Sequence, residues 1–594
     1  MWTLKRFLTP YKSAAIFAPL LMVLEVTMDL LQPKLMSSIV DDGVLAGNLP
    51  HIVTTGLIML LVALIGWVGG AGCTLYSSNA AVGYGTDLRQ ELFDHIQTFS
   101  FRNLDTFQEG SLITRLTSDI TQMQTFVQML LRMFIRSPML IIGSIIMAFT
   151  ISVKLALILI ATVPVLFIIL FILIKASYPL FASVQNKLDQ VNAVLQENLA
   201  GIRVVKAFAR ARLEKKRFKQ SNEDYTTTAV KAWRIVTLNA PVLSLMLNAT
   251  IVAVLWFGGF QVVGGDIAAG DLIAFINYVT VVLSSLTSIG MMMMSFSRAK
   301  VSAARINEVL HTQPDIQSGT DNSGNVQSSP STRDQSRNQT SSLPSHTGGQ
   351  VEFRDVSFRY DGDHALTDIN LKARPGEKVA LIGSTGSGKT SLVQLIPRLY
   401  DASQGEVLVN GVNVRHWDLQ DLRSRVSIVL QESILFSGSI RDNICFGRPG
   451  ATDAELRAAA QAAAADDFIM KLKDGYDTEL GQRGVNLSGG QKQRISIARA
   501  LLMRPEVLIL DDSTSAVDLR TEASIQKALQ SLMKDSTTFL IAQRISSVKD
   551  ADCIYVIDEG QIVARGTHDD LMAHSSHYQA IFYSQQRKED VQFG

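Results

Sequence analysis

The chain has 594 residues, enough for more than one domain. Its 55 Lys and Arg balance 54 Asp and Glu to a net charge of +1, which gives no basis for a nucleic-acid-binding surface. Hydrophobic residues make up 47% and charged residues only 18%, an average over two unlike parts: a lipid-like first half, and about 240 final residues with the composition of a soluble α/β domain. Cys73, Cys445 and Cys553 are too scattered for a metal site or a disulfide framework and read as buried thiols in a reducing compartment.

The first seven residues are basic and amphipathic, as expected of a segment lying along a membrane surface. The apolar run 14–31 is too long for the core of a cleaved signal peptide and reads as a first membrane span. Further runs of spanning length cover 52–76, 134–152, 155–174, 241–263 and 272–296, giving six spans. The connections 41–51, 152–154 and 264–271 are short and nearly free of Lys and Arg. Those at 79–133 and 175–240 are long and basic, so the positive-inside rule puts both long loops and both termini in the cytoplasm.

Residues 176–236 keep helical periodicity, which predicts helices running well beyond the membrane. Two stretches, 107–116 and 197–208, set a glycine among charged and apolar residues, as suits a helix that turns and docks on a partner domain. Glu25 and Asp29 share one face of the first span, where carboxylates are rare unless they face protein or water. Two readings stand for them: part of a substrate pathway, or hydrogen bonding between helices. Met291, Met292, Met293 and Met294 in the sixth span read as a lipid- or core-facing run. From 317 to 350 the composition turns polar and Gly/Ser-rich, a flexible linker.

After the linker, residues 351–360 alternate as a strand and end on Tyr360, an aromatic able to stack on a nucleobase. Residues 378–382 form a short apolar strand. Gly383, Ser384, Thr385, Gly386, Ser387, Gly388, Lys389 and Thr390 then fit the phosphate-loop pattern G-x-x-x-x-G-K-[ST] at every fixed position, and a helix follows. Such a loop aims backbone N–H groups and a helix N-terminus at phosphate, with Lys389 for the outer phosphates and Thr390 for magnesium. About a hundred residues on come Leu487, Ser488, Gly489, Gly490 and Gln491 ahead of a helix, and then the apolar strand 507–511 ending in Asp511, the Walker B pattern for Mg²⁺.

This order of motifs resembles the ATP-binding cassette family, and the whole chain outside the linker is similar to an ABC exporter half-transporter. The resemblance implies an all-α transmembrane domain of six spans with long cytoplasmic helical extensions (1–316), the linker (317–350), and an α/β P-loop nucleotide-binding domain (351–594). It also implies ATP and Mg²⁺ as cofactors, a second half-transporter chain and the lipid bilayer as partners, and no nucleic acid. The cargo it implies is hydrophobic or amphipathic, and the location a plasma (inner) membrane with the nucleotide-binding domain cytoplasmic.

By matching positions, Tyr360 resembles the adenine-stacking aromatic, Gln431 the Q-loop glutamine that also reaches the metal, Leu487–Gln491 the signature, and 515–518, ending in Asp518, the D-loop. The stretches 107–116 and 197–208 are similar to those bearing coupling helices. Two positions depart from the family. Asp512 stands where a glutamate usually polarises the attacking water, and Gln543 where a histidine usually contacts the γ-phosphate; Gln482 is a lesser departure in the X-loop. Aspartate draws its carboxylate back by about an ångström, a misplacement that can cost on the order of 100-fold in rate. Glutamine cannot take on histidine's charged or proton-carrying roles. The expectation is MgATP binding with weak hydrolysis at this chain's own site, and an intact signature serving a different partner's site. A homodimeric exporter of lipid or peptide and an ATP-gated regulatory membrane protein are the alternatives. His568, His574 and His577 lack ligand companions and read as a solvated tail.

Overall fold

The computed structural model describes residues 2–319, 348–360, 362, 364–514 and 517–593. The linker apart from its two ends, Ser515 and Ala516 of the D-loop, and the side chains of Met291, Met293 and Met294 lie outside the described residues. The chain divides into two compact units. One comprises Met1–Thr98 with Phe107–Gln313, the other Phe99–Thr106 with Pro314–Gly594.

The first unit is helical throughout. A 3-10 helix, Trp2–Tyr11, leads into α1 (Lys12–Ser38) and α2 (Leu49–Gln97); after the short α3 (Phe101–Phe107), which up to Thr106 belongs with the second unit, come α4 (Glu109–Thr114), α5 (Ile120–Ile151), α6 (Val153–Ala200), α7 (Ile202–Ala207), α8 (Ala211–Thr237), α9 (Asn239–Val263) and α10 (Ala269–His311). Among the described residues, five stretches are long and apolar enough to cross a membrane, and α6 opens with a shorter apolar segment at Val153–Ile169. The basic N-terminal segment is held by the helices around it. Leu4 and Phe7 are buried, the Phe7 ring meets Tyr84 edge-on at 6.5 Å, and Thr3 donates to Asn307.

Small residues let α1 and α2 approach backbone to backbone. A Cβ on Gly69 would lie 3.0 Å from the Leu21 carbonyl, and one on Gly70 would lie 2.9 Å from the Glu25 carboxylate. Pro33 interrupts α1 in a turn where the Leu30 carbonyl accepts from Tyr278 of α10 at 2.8 Å. Beyond the apolar core, α6 and α8 run together, joined by the Phe181–Trp233 ring contact and the Arg217–Glu197 and Lys187–Asp224 ion pairs. These are the helical extensions expected from the periodicity of 176–236.

The second unit is α/β. After β1 (Val351–Arg359), β2 (His364–Ala373) and β3 (Lys378–Ile382) come α11 (Lys389–Gln394), β4 (Gln404–Val409), β5 (Val412–Asn413), α12 (Leu419–Arg425) and β6 (Val426–Val429). Next are β7 (Gly438–Ser439), α13 (Ile440–Cys445), α14 (Asp453–Ala462), α15 (Asp466–Ile469), β8 (Glu479–Leu480), α16 (Gly489–Leu502), β9 (Val507–Asp511) and α17 (Leu519–Leu532). The unit closes with β10 (Thr537–Ile541), α18 (Ile545–Val548), β11 (Cys553–Asp558), β12 (Gln561–Gly566), α19 (His568–His574) and α20 (Ser576–Phe593). The main sheet has the order β12-β11-β3-β10-β9-β6, parallel except for β12, beside an antiparallel sheet β2-β1-β4-β5. β3, β9 and β10 are almost wholly buried apolar runs, as a parallel sheet covered on both faces requires. The C-terminal ends of β3 and β9 deliver the phosphate loop and Asp511 to the same edge. Of the cysteines, Cys73 is buried, and Cys445 and Cys553 are half-buried.

The two docking stretches fare differently. α6 ends at Ala200 on Gly201, and α7 follows with no buried residue, so the glycine marks a helix break as expected. The first stretch is displaced: residues 99–106, just ahead of 107–116, belong with the nucleotide-binding unit. The break falls at Gln108 (φ +56°), while Gly110 sits inside α4. Asn103 decides the turn, because its Oδ1 accepts from both the Ser100 N–H and hydroxyl.

Candidate nucleotide site and its membrane counterpart

The phosphate loop is shaped by its glycines. Gly386 and Gly388 have φ of +85° and +97°, in the left-handed region open to glycine, and a Cβ on Gly383 would collide with the Ile557 carbonyl. Lys389 Nζ lies inside the loop and donates to the carbonyls of Gly383 (3.0 Å) and Ser384 (2.6 Å) and to Ser387 Oγ (3.2 Å). Burial lowers its pKa, opposed by the nearby charges of Asp511 and Asp512. Thr390 Oγ1 donates to Asp511 Oδ1 at 3.1 Å, so the two side chains assigned to magnesium stand together. Hard hydroxyl and carboxylate oxygens side by side at the edge of a phosphate loop are the donors Mg²⁺ takes, and the residues present fit it. Thr390 and Asp511 would hold the ion, which when bound neutralises charge on the outer phosphates.

The next carboxylate is differently placed. Asp512 is forced to φ +46° and is 8% exposed, and its Oδ2 accepts from Gln543 Nε2 at 2.9 Å. Burial raises the pKa of Asp512, with the Gln543 hydrogen bond working against it; burial likewise raises that of Asp511, with the Asp512 charge adding to it. Gln543 is anchored through its carbonyl by Gln585 of α20, which also accepts from the Ile545 N–H.

Ser488 caps α16 in a reciprocal box with Gln491, and Ser488 and Gly489 stay exposed on this chain's surface. Asp518 caps α17 through Thr521. Gln431, just past β6, is exposed and makes no hydrogen bond among the described residues. His568 is tied to Tyr578 and His574 to the Asp570 carbonyl.

Tyr360 is 41% exposed, its hydroxyl 3.1 Å from Ser391 Oγ. Its ring meets Tyr400 edge-on at 5.5 Å, and Tyr400 donates its hydroxyl to Asp105 Oδ2 at 2.8 Å and packs on Phe101 at 6.0 Å. Tyr360 and α3 are therefore two contacts apart. Sequence reasoning missed Tyr400, because a tyrosine in the bend between α11 and β4 carries no motif of its own.

In the membrane unit, Glu25 and Asp29 both face Arg136, at 3.3 and 3.0 Å. Arg136 lay in a predicted span without being noticed. The usable signal was its spacing from Arg132, which gives α5 a pair of cations four residues apart opposite the acidic pair of α1.

Comparison with known proteins now decides the family. Residues 15–286 match the family described as ABC transporter transmembrane region, and residues 366–515 the family described as ABC transporter. The ABC transporter ATP-binding protein YfiB of Bacillus subtilis is 39% identical over 98% of both chains. The chain belongs to the ABC transporter family. It is an ABC exporter half-transporter, with a helical membrane domain followed by an α/β nucleotide-binding domain. Another Bacillus subtilis relative, printed as "Putative multidrug export ATP-binding/permease protein YgaD", is 34% identical over 97% of this chain and 98% of its own. A solved structure, a bacterial Atm1-family ABC exporter with ATP bound, superposes with a TM-score of 0.77 at 26% identity, over 96% of this chain and 99% of that one. The exporter is thus a multi-pass membrane protein with ATPase-type transport activity, and exporters of this family act as dimers.

Proposed function

We propose that the chain is one half of a heterodimeric exporter of amphipathic or hydrophobic compounds in a plasma membrane, with its cassette in the cytoplasm. Its own Walker site binds MgATP and turns it over slowly, while its signature, Leu487–Gln491, closes over the partner's ATP. Residues 1–316, 317–350 and 351–594 serve as membrane domain, linker and cassette. The observation that carries the reading is the Gln543–Asp512 hydrogen bond. A carboxylate one methylene short is engaged by a neutral amide that can neither carry charge to a γ-phosphate nor relay a proton. The exposure of Ser488 and Gly489 supports a role completed by another chain.

In this cycle Lys389 and the loop amides hold phosphate, Thr390 and Asp511 hold magnesium, and Tyr360 stacks the base. Gln431 senses the γ-phosphate, and Asp518 contributes to the closed cassette pair. ATP binding closes the cassettes, α3 and α7 carry the closure to the spans, and hydrolysis mainly at the partner's site resets them. The test is gentle purification of the tagged chain from its native membrane, weighing what accompanies it. A second, different half-transporter in one-to-one amount is the expected result, together with a rise of about 10- to 100-fold in ATP hydrolysis when Asp512→Glu and Gln543→His are combined. Recovery of this chain alone as a dimer with vigorous hydrolysis sinks the reading.

A further inference from the structure

α1 and α5 enclose, with α10 on one side and α2 on the other, two cavities of about 780 Å³ each. Three side chains line both: Asp29 and Gln32 from α1, and Arg132 from α5. The charges near this common wall are unevenly satisfied. Arg136 is engaged by Glu25 and Asp29 together. The second oxygen of Glu25 has no hydrogen-bond partner, but it is buried and lies against the backbone of Gly70, where not even a methyl group fits. Arg132 makes no hydrogen bond or ion pair among the described residues, although its guanidinium has five N–H groups to donate. Arg132 stands on α5 two residues before the apolar run 134–152, with its guanidinium on the wall of both cavities, where a ligand of opposite charge would be its natural partner.

We propose that the wall shared by the two cavities is a binding site for the anionic group of an amphipathic molecule, a carboxylate or a phosphodiester, held by Arg132. The proposal deepens the exporter reading and rests on it for the word cargo. A planar guanidinium takes either oxyanion through two parallel hydrogen bonds. Asp29, on the same wall, repels a second negative charge and so selects a monoanion. The apolar body of the ligand packs on Met129, Met133, Leu140 and Val281, and Ser284 and Ser288 of α10 supply hydroxyls for its polar atoms.

The test is equilibrium binding of dansylaminoundecanoate to the full chain, with whatever partner it carries, in nanodiscs of zwitterionic lipid. Its methyl ester and its trimethylammonium counterpart serve as controls. The expected order is acid tighter than ester and ester tighter than ammonium. Arg132→Gln should weaken the acid by about tenfold or more, to near the level of the ester, and Arg132→Lys should recover part of the loss. Binding of a fluorescent ATP analogue, unchanged throughout, reports that each variant is folded. Should Arg132→Gln not fold, Asp29→Asn takes its place, and it should tighten the acid by removing a repelling charge.

Competition with lysophosphatidylglycerol against undecanoate separates a lipid headgroup from a free carboxylate, and tighter binding of either supports the site. Acid binding indifferent to Arg132→Gln, or an ammonium probe bound best and weakened by Asp29→Asn, overturns it. So does loss of partner retention in Arg132→Gln without any change in charge preference, which would make Arg132 an inter-subunit contact. Charge-selective binding without ATP-driven export in inverted vesicles would sink the exporter reading and leave the site. Export that ignores Arg132 would do the reverse.

Discussion

The nucleotide corner and the acidic face of α1 both hold charges against one another, and they do so by different constructions. At the corner, Lys389 is fixed inside its own glycine loop, while Thr390 and Asp511, 121 positions apart, meet because one parallel sheet carries the ends of β3 and β9 to the same edge. On α1, Glu25 and Asp29 find their partner on a helix more than a hundred positions along the chain, and only helix packing brings the two together. A motif carries its own geometry. A helical face carries only half of one.

The largest effect should come from breaking the first construction. Lys389→Ala should lower affinity for a fluorescent ATP analogue by about 100-fold or more, because the cation's contact with phosphate is charge-assisted and has no substitute in the loop. Unchanged affinity would mean that the loop amides suffice without it. Breaking the second construction should show in stability instead of binding. Arg136→Gln leaves Glu25 and Asp29 without their cation. With Arg136 and Asp29 well exposed, solvent screening limits the cost to about 1–3 kcal/mol, read as a lower melting temperature of the detergent-held chain with nucleotide affinity intact. Equal melting temperatures would show that the pair is solvated rather than structural.

The two adjacent carboxylates sharpen the comparison further. Both have raised pKa values, so each keeps its proton at a higher pH than an ordinary aspartate, near 3.8. A raised acid pKa stabilises the fold below the unfolded-state value, and that contribution is lost as pH rises through the folded one. Asp512→Asn should therefore raise the melting temperature of the chain at neutral pH by a few degrees and leave it unchanged in acid. Magnesium-dependent nucleotide binding should fall, on acidification, before the pH reaches the ordinary aspartate value. A titration with its midpoint at or below 3.8 would count against a raised Asp511. The smallest effect is expected at Tyr400→Phe, which removes one hydrogen bond to Asp105. Basal ATP binding should hold, while cargo stimulation of hydrolysis drops about two- to fivefold. Equal loss in both would make Tyr400 a packing residue and nothing more.

What was legible in the sequence follows the same division. The phosphate loop, Asp511 and the signature could be read because contiguous residue types dictate a strand, a glycine turn and a helix start. The six apolar runs could be read because hydrocarbon sets their length. The role of Arg136 could not, because a helical pattern says which residues share a face and not which face lies opposite. The position of the turn within the first docking stretch is hidden for a related reason. Glycine is the usual sign of a turn, but Gly110 sits inside α4, and the chain turns where the Asn103 side chain satisfies the backbone of Ser100 and where Gln108 accepts a positive φ.

Tyr400 has one more consequence. Its ring touches the aromatic assigned to the nucleobase, and its hydroxyl holds α3. In the proposed cycle, the identity of the base, and not only the presence of phosphate, would be felt at α3. A triphosphate with a poorly stacking base, such as UTP, fills the phosphate loop as well as ATP does but leaves the Tyr360–Tyr400 pair unsupported. Such a fuel would be burned without driving the machine, so purine preference in this transporter would be felt as thrift in cargo moved per phosphate spent rather than as tightness of binding.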